Sequence, residues 1–116
     1  MRIIDSSQSP RLFEAFGFGV VWEVRFTVSA RSQFQAGLRF IGADKPSAAN
    51  NFRVKAQKSL ERLKDFPDSG RPLPEFPDLR YREIIVRPHR FFYRVEDEVV
   101  LIVGVRHAAQ LPSEPR

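Results

Sequence analysis

A chain of 116 residues, 42% of them hydrophobic, can bury one small core, and two independent domains are excluded. Its 19 Lys and Arg against 14 Asp and Glu leave a net charge of +5, which favours anionic partners, nucleic acid or an acidic protein segment, without choosing between them. The lack of cysteine excludes disulfide and thiolate chemistry and fits a reducing cytoplasm; two histidines, His89 and His107, are too few for a zinc site, and no apolar run nears the roughly 20 residues that span a membrane.

Residues 1–20 combine polar positions and Pro10 with Phe13-Glu14-Ala15-Phe16-Gly17-Phe18-Gly19, which follows neither a helical nor a strand period. Asp5, Arg11 and Glu14 interrupt any apolar centre, so a signal peptide is not indicated. This stretch reads as an extension to a domain spanning 21–108, with 109–116 as a tail. Two readings stand for it: its phenylalanines pack on the domain or on a second copy, giving a homodimer, or it is a flexible tail.

From Trp22 to Ser29, apolar Trp22, Val24, Phe26 and Val28 alternate with Glu23, Arg25, Thr27 and Ser29, the two-residue period of a half-buried strand. Ser29 stands where a helix cap belongs. Phe34, Leu38 and Ile41 then recur at helical spacing, predicting a short helix from about Ala30 to Phe40 that stops near Gly42. After Asp44, Pro46 and Ser47 comes a second helix, with Ala49, Phe52, Ala56, Leu60 and Leu63 on one stripe and Lys55, Lys58 and Arg62 on another. The two helices form a hairpin.

Prolines at 67, 72, 74 and 77 predict a long irregular loop from Phe66 to Leu79. Strand patterns return at Tyr81–Val86, Arg90–Val95 and Val99–Val105, separated by Arg87-Pro88-His89 and Glu96-Asp97-Glu98. Links this short permit only an antiparallel meander. Val99-Val100-Leu101-Ile102-Val103 is apolar on both faces and belongs at the sheet's centre, with the Trp22–Val28 strand on its free side. The expected fold is α+β: an N-terminal strand, a helical hairpin, and a three-stranded antiparallel meander, in one sheet of about four strands with the helices on one face.

Arg90, Phe92 and Arg94 fall opposite Phe91, Tyr93 and Val95, so with Arg82 they predict a basic open face able to grip phosphate or carboxylate in bidentate fashion. Read from the residues alone, an ordinary solvated sheet face is the simpler alternative. His107, at the end of the central strand, is placed to reach that face as acid, base or phosphate ligand, whereas His89 reads as a turn residue. Arg71 is placed to pair with Glu75 or Glu83. No carboxylate cluster suggests a metal-dependent nuclease, and no cofactor is indicated.

Several elements in their order carry a family resemblance: Val28-Ser29-Ala30; the link Leu63-Lys64-Asp65-Phe66-Pro67-Asp68-Ser69-Gly70-Arg71; Pro72, Pro74 and Glu75; Tyr81-Arg82-Glu83; Arg90-Phe91-Phe92-Tyr93-Arg94-Val95; and Val103-Gly104-Val105-Arg106-His107. Together they resemble the RelE/ParE superfamily of toxins from type II toxin-antitoxin, or plasmid-stabilisation, modules, over Trp22 to Arg106. Family members begin near the first strand, so residues 1–20 are a departure. The resemblance implies a cognate antitoxin and one of two activities: inhibition of DNA gyrase, which is not enzymatic, or ribosome-dependent cleavage of messenger RNA, which is. It places Arg82 and Arg90 in the toxic basic face, with Arg94 and His107 beside them, and makes Arg82, Arg90 and His107 the candidates for any catalysis. It further implies an antitoxin lying along the hairpin or sheet, with Leu38, Ile41, Phe52 and Leu60 as candidate docking residues, although the core claims most of these. Ile84 and Ala108 stand where the nucleases carry basic residues, and no tyrosine follows Tyr93. These departures, with the Gly70-Arg71 to Glu75 turn, favour the ParE branch; a toxin-like fold serving only as an interaction module is the remaining alternative.

Overall fold

The computed structural model describes residues 4–5 and 23–108; Trp22, the phenylalanine run and the C-terminal tail lie outside them. Ile4–Asp5 form a two-residue strand, β1, and Glu23–Phe26 form β2. The chain turns from β2 into helix at once, because Thr27 stays extended and its hydroxyl accepts a hydrogen bond from the Ala30 N–H at 3.0 Å, capping α1 (Val28–Asp44). The cap is thus Thr27 rather than Ser29. The helix also runs on through Gly42, and stops only where Pro46 forces Lys45 into the extended region (φ −152°) and opens α2 (Pro46–Asp65).

The remaining strands are β3 (Arg71–Pro72), β4 (Arg82–Val86), β5 (His89–Glu96) and β6 (Val99–His107). They join in one sheet of order β1-β2-β6-β5-β4-β3, in which β1/β2 and β2/β6 are parallel and the other pairs antiparallel. The α+β class, the hairpin and the meander agree with the sequence reading, but six strands replace about four. The additions are two-residue strands at the two edges, too short to show a period. Pro72 fits β3 because an edge strand has an unpaired side where a missing N–H costs nothing. The two-residue turn into β6 holds Asp97 at φ 52°, a left-handed conformation that Asp tolerates better than most residues.

One irregularity sets which residues face the helices. Phe92 pairs with Gly104 and Tyr93 with Ile102, so β6 spends an extra residue, Val103, opposite that step. Val100 and Ile102 face the helices before the bulge and Val105 after it, all buried. The same shift puts His107 opposite His89, on the helix side, and not on the far face as the sequence suggested.

The main core closes between hairpin and sheet. Phe52, Ala56, Leu60 and Leu63 from α2 meet Val24, Phe26, Val86, Phe91 and Tyr93. Phe34 is the hub on α1, with ring centroids 5.7 Å from Phe26, 5.9 Å from Phe52 and 5.7 Å from Phe91. A second, smaller cluster lies on the other face. There Leu73, Phe92 and Val103 are buried with Phe76, Tyr81 and Leu101 packed around them, so the proline-rich loop is a strap that covers part of the face expected to be open.

Tyr93 fastens the start of this strap. Its hydroxyl donates to the Pro67 carbonyl at 2.8 Å and accepts from the Gly70 N–H at 2.9 Å, while burial raises its pKa. A Cβ on Gly70 would lie 2.5 Å from that hydroxyl and 2.7 Å from the Glu83 carbonyl oxygen, which is why glycine stands there. Gly70→Ala and Tyr93→Phe should each cost about 1–3 kcal/mol in urea unfolding, the first by overpacking and the second by orphaning a buried N–H; unchanged midpoints would show that the junction is not tightly held.

His89, expected in a turn, is instead the first residue of β5 and only 7% exposed. Its ring lies 5.0 Å from Phe52 and 5.7 Å from His107, next to Gly37, and its Nδ1 has no hydrogen-bond partner. Burial, then the nearby His107, lowers its pKa below the usual 6.5. The folded state therefore disfavours a proton that the unfolded chain accepts, so stability is full above about pH 6.5 and falls as the pH drops toward the folded pKa. Urea midpoints measured from pH 7.5 to 5 should fall, and fall less for His89→Leu; parallel slopes in the two proteins would contradict this.

Candidate functional site

The strand arginines divide between different environments. Arg90 and Arg94 lie opposite Phe91 and Tyr93, as their alternation requires, but Arg82 pairs in register with Tyr93 and shares its side of the sheet. Arg82 Nη1 donates to the Gly70 carbonyl at 2.8 Å, and its Nε lies 3.9 Å from Asp68. The three do not form one displayed face.

Arg90 is 6% exposed, and each of its three nitrogens donates to a carboxylate. Nε and Nη2 reach Oε1 of Glu83 at 2.7 and 2.6 Å, while Nη1 and Nη2 form a fork onto Glu75 at 3.1 and 3.0 Å. The other Glu83 oxygen accepts from Arg71 Nε, so Arg71 pairs with Glu83 rather than Glu75. The Arg90 guanidinium also lies 5.1 Å from the centroid of the Phe92 ring. Hydrogen bonding to Arg90 lowers the pKa of Glu75, and bonding to Glu75 and Glu83 raises that of Arg90 against the cost of burial. Arg90 thus ties strap to sheet, and its placement differs from the exposed cation expected. The signal for this in the sequence is the pair Glu75 and Glu83, two carboxylates that Arg71 alone does not neutralise.

Arg94 is more open. Its Nε donates to Glu96 and its Nη1 to the Tyr81 hydroxyl at 3.2 Å, with the guanidinium 6.0 Å from the Tyr81 ring centroid. Beside it, a cleft of about 400 Å³ between the strap and the ends of β4 and β5 gathers Arg80, Arg82 and Arg94 with Tyr81, Pro77 and Leu79. Arg80 was not singled out from the sequence, though Arg80-Tyr81-Arg82 directly after the prolines is a visible basic run.

His107 is distant from this cleft. It pairs with His89 at the start of β5, whereas Arg82 pairs with Tyr93, four residues or ~13 Å further along the strand and one strand beyond. Arg82, Arg90 and His107 therefore do not converge on one reacting group. Among the described residues, no three His, Asp or Glu side chains form a metal-ligand set, and no helix is long and apolar enough to cross a membrane.

Of the candidate docking residues, Phe52 and Leu60 are sealed in the core, and Leu38 and Ile41 are half-buried against it. The exposed surface of the hairpin includes Val28, Phe40 and Val54 as well as Lys55, Lys58 and Arg62. Phe40 lies off the stripe of Phe34, Leu38 and Ile41, so the helical period does not mark it.

Comparison with known proteins places this arrangement. Residues 24–112 match the sequence model described as the ParE toxin of the type II toxin-antitoxin system, parDE. Toxin RelE2 of Caulobacter vibrioides is 32% identical over 93 residues, covering 79% of this chain and 97% of its own. A chain of the chromosomal ParDE TA system from P. aeruginosa superposes with a TM-score of 0.61 at 15% identity, covering 75% of this chain and 96% of its own, and so shares the fold. With the family model spanning most of the chain and a relative matched over nearly its full length, this protein belongs to the RelE/ParE superfamily of type II toxins.

Proposed function

We propose that this protein is a cytoplasmic toxin that arrests growth by inhibiting DNA gyrase and is neutralised by a cognate antitoxin. The state of Arg90 carries the choice. Ribonuclease chemistry of the RelE kind needs cations free to stabilise a strained phosphate, yet Arg90 has every nitrogen bound to Glu75 or Glu83. Ile84 and Ala108 add no charge at the positions where the resemblance would call for it. Growth arrest through binding alone makes no such demand.

A second reading, ribosome-dependent cleavage of messenger RNA, draws support from the relative named Toxin RelE2. Under either reading, the antitoxin meets the outer surface of the hairpin. Exposed Phe40 and Val54 offer apolar anchors, and Lys55, Lys58 and Arg62 suit acidic side chains. Phe52 and Leu60 act in this only by holding the helices in place.

The purified protein should inhibit gyrase in a supercoiling reaction, and should leave no new message ends in a translating extract probed by primer extension. Cuts within codons in the ribosomal A site, with supercoiling untouched, would establish the second reading instead.

A further inference from the structure

The hairpin is not held to the sheet evenly along its length. At its base, Gln33 Oε1 accepts from the Val105 N–H at 2.8 Å, Ala30 is fully buried, and α2 contributes Ala56, Leu60 and Leu63, all buried. Towards the tip, the one buried residue of α1 is Gly37, while Leu38 and Ile41 are half-buried and Phe40 is 78% exposed. From residue 37 to residue 52 only Gly37 and Phe52 are buried, and both lie against the ring of His89. A segment with so few buried contacts is one that can open by itself, ahead of the rest of the fold.

The His89 ring is a poor place for a charge. Its Nδ1 is sealed from solvent with no hydrogen-bond partner among the described residues. A Cβ at Gly37 would come within 2.9 Å of its Nε2, so the α1 backbone lies directly on the imidazole. Its neighbours from α1, α2 and β4 are Gly37, Phe52 and Val86, none of which is charged. From β6 comes His107, a second imidazole that repels an imidazolium when it carries a proton itself. No carboxylate is among these groups. A proton on His89 therefore adds an uncompensated buried charge under the two contacts that hold the tip down.

We propose that His89 is a proton-operated latch, whose protonation releases the hairpin tip, from Gly37 to Phe52, while the base of the hairpin and the strands stay folded. The segment that lifts carries the exposed Phe40, so mild acid remodels that part of the outer hairpin surface. The latch holds whichever target the toxin attacks.

Hydrogen exchange of the full chain, followed by NMR between pH 7.5 and 5.5 and corrected for intrinsic exchange, reads the latch. An opening that takes up one proton grows by up to about tenfold per pH unit below about 6.5, until the folded pKa is reached. Amides between Gly37 and Phe52 should therefore lose up to about tenfold in protection between pH 6.5 and 5.5, while those of β5 and β6 change less than about twofold. His89→Phe, which keeps a ring against Phe52 but cannot take a proton, should abolish the response, as should His89→Leu; circular dichroism at pH 7.5 confirms which of them is folded. His107→Gln should retain it. Equal loss of protection in tip and strands would reduce the effect to global stability and overturn the latch. So would an unchanged tip in the wild-type protein, a response that survives in a folded His89 variant, or one that disappears in His107→Gln.

Discussion

One guanidinium joins the strap to the buried charge of the sheet. Arg90 projects from β5 with Glu83 from β4 beside it and Glu75 from the strap above it, and Arg71 closes the far side of Glu83. Glu83 is fully buried, a state that a lone carboxylate could not sustain, because the cost of desolvation would shift it toward its neutral form. The cation makes that burial tolerable. In turn, the fork from Arg90 to Glu75 draws the strap over Phe92, Leu73 and Val103, forming the second apolar cluster. A buried ion cluster of this kind is weak as a net source of stability, but it specifies geometry, since a strap packed elsewhere would take Glu75 away from the buried Arg90.

Two consequences reach function. A cation spent on structure is not available to a substrate, so the sheet face that alternation marked as basic presents Arg90 already neutralised. The strap also brings Arg80 and Arg82 close to Arg94 at one end of β4 and β5, where Asp68 and Glu96 stand as counter-charges to Arg82 and Arg94. On the opposite side of the sheet, the hairpin turns Phe34 and Phe52 inward, while Phe40 and the basic stripe stay in solvent. The molecule thus carries basic side chains on two separate surfaces, the outer hairpin and the strap end of the sheet.

What could be read from the sequence was periodic and local. The stripe of Phe52, Ala56, Leu60 and Leu63 follows from the helical repeat, and the run from Val99 to Val103 marks the central strand. Relations between distant segments were hidden. Nothing near Arg82 shows that it registers with Tyr93, and nothing in β6 shows that Val103 is an extra residue, yet that bulge decides on which side His107 lies. The prolines correctly marked an irregular segment, but they masked the fact that Leu73 is fully buried and that Glu75 reaches Arg90. A pairing between a loop residue and a strand residue fifteen positions away has no period to reveal it. The strand's alternation runs through Thr27 and points to Ser29 as the cap, although the Thr27 hydroxyl is equally able to accept from the helix.

The claim that Arg90 is a structural clamp is tested most directly by urea unfolding of Arg90→Met, Glu83→Gln and the double variant at neutral pH. Removing Arg90 leaves a fully buried carboxylate with only the exposed Arg71 as counter-charge and should cost about 3–5 kcal/mol, with the double variant recovering much of that loss. A loss below ~1 kcal/mol for Arg90→Met, simply additive with Glu83→Gln, would mean that the pair behaves as a surface ion pair and that the clamp does not exist.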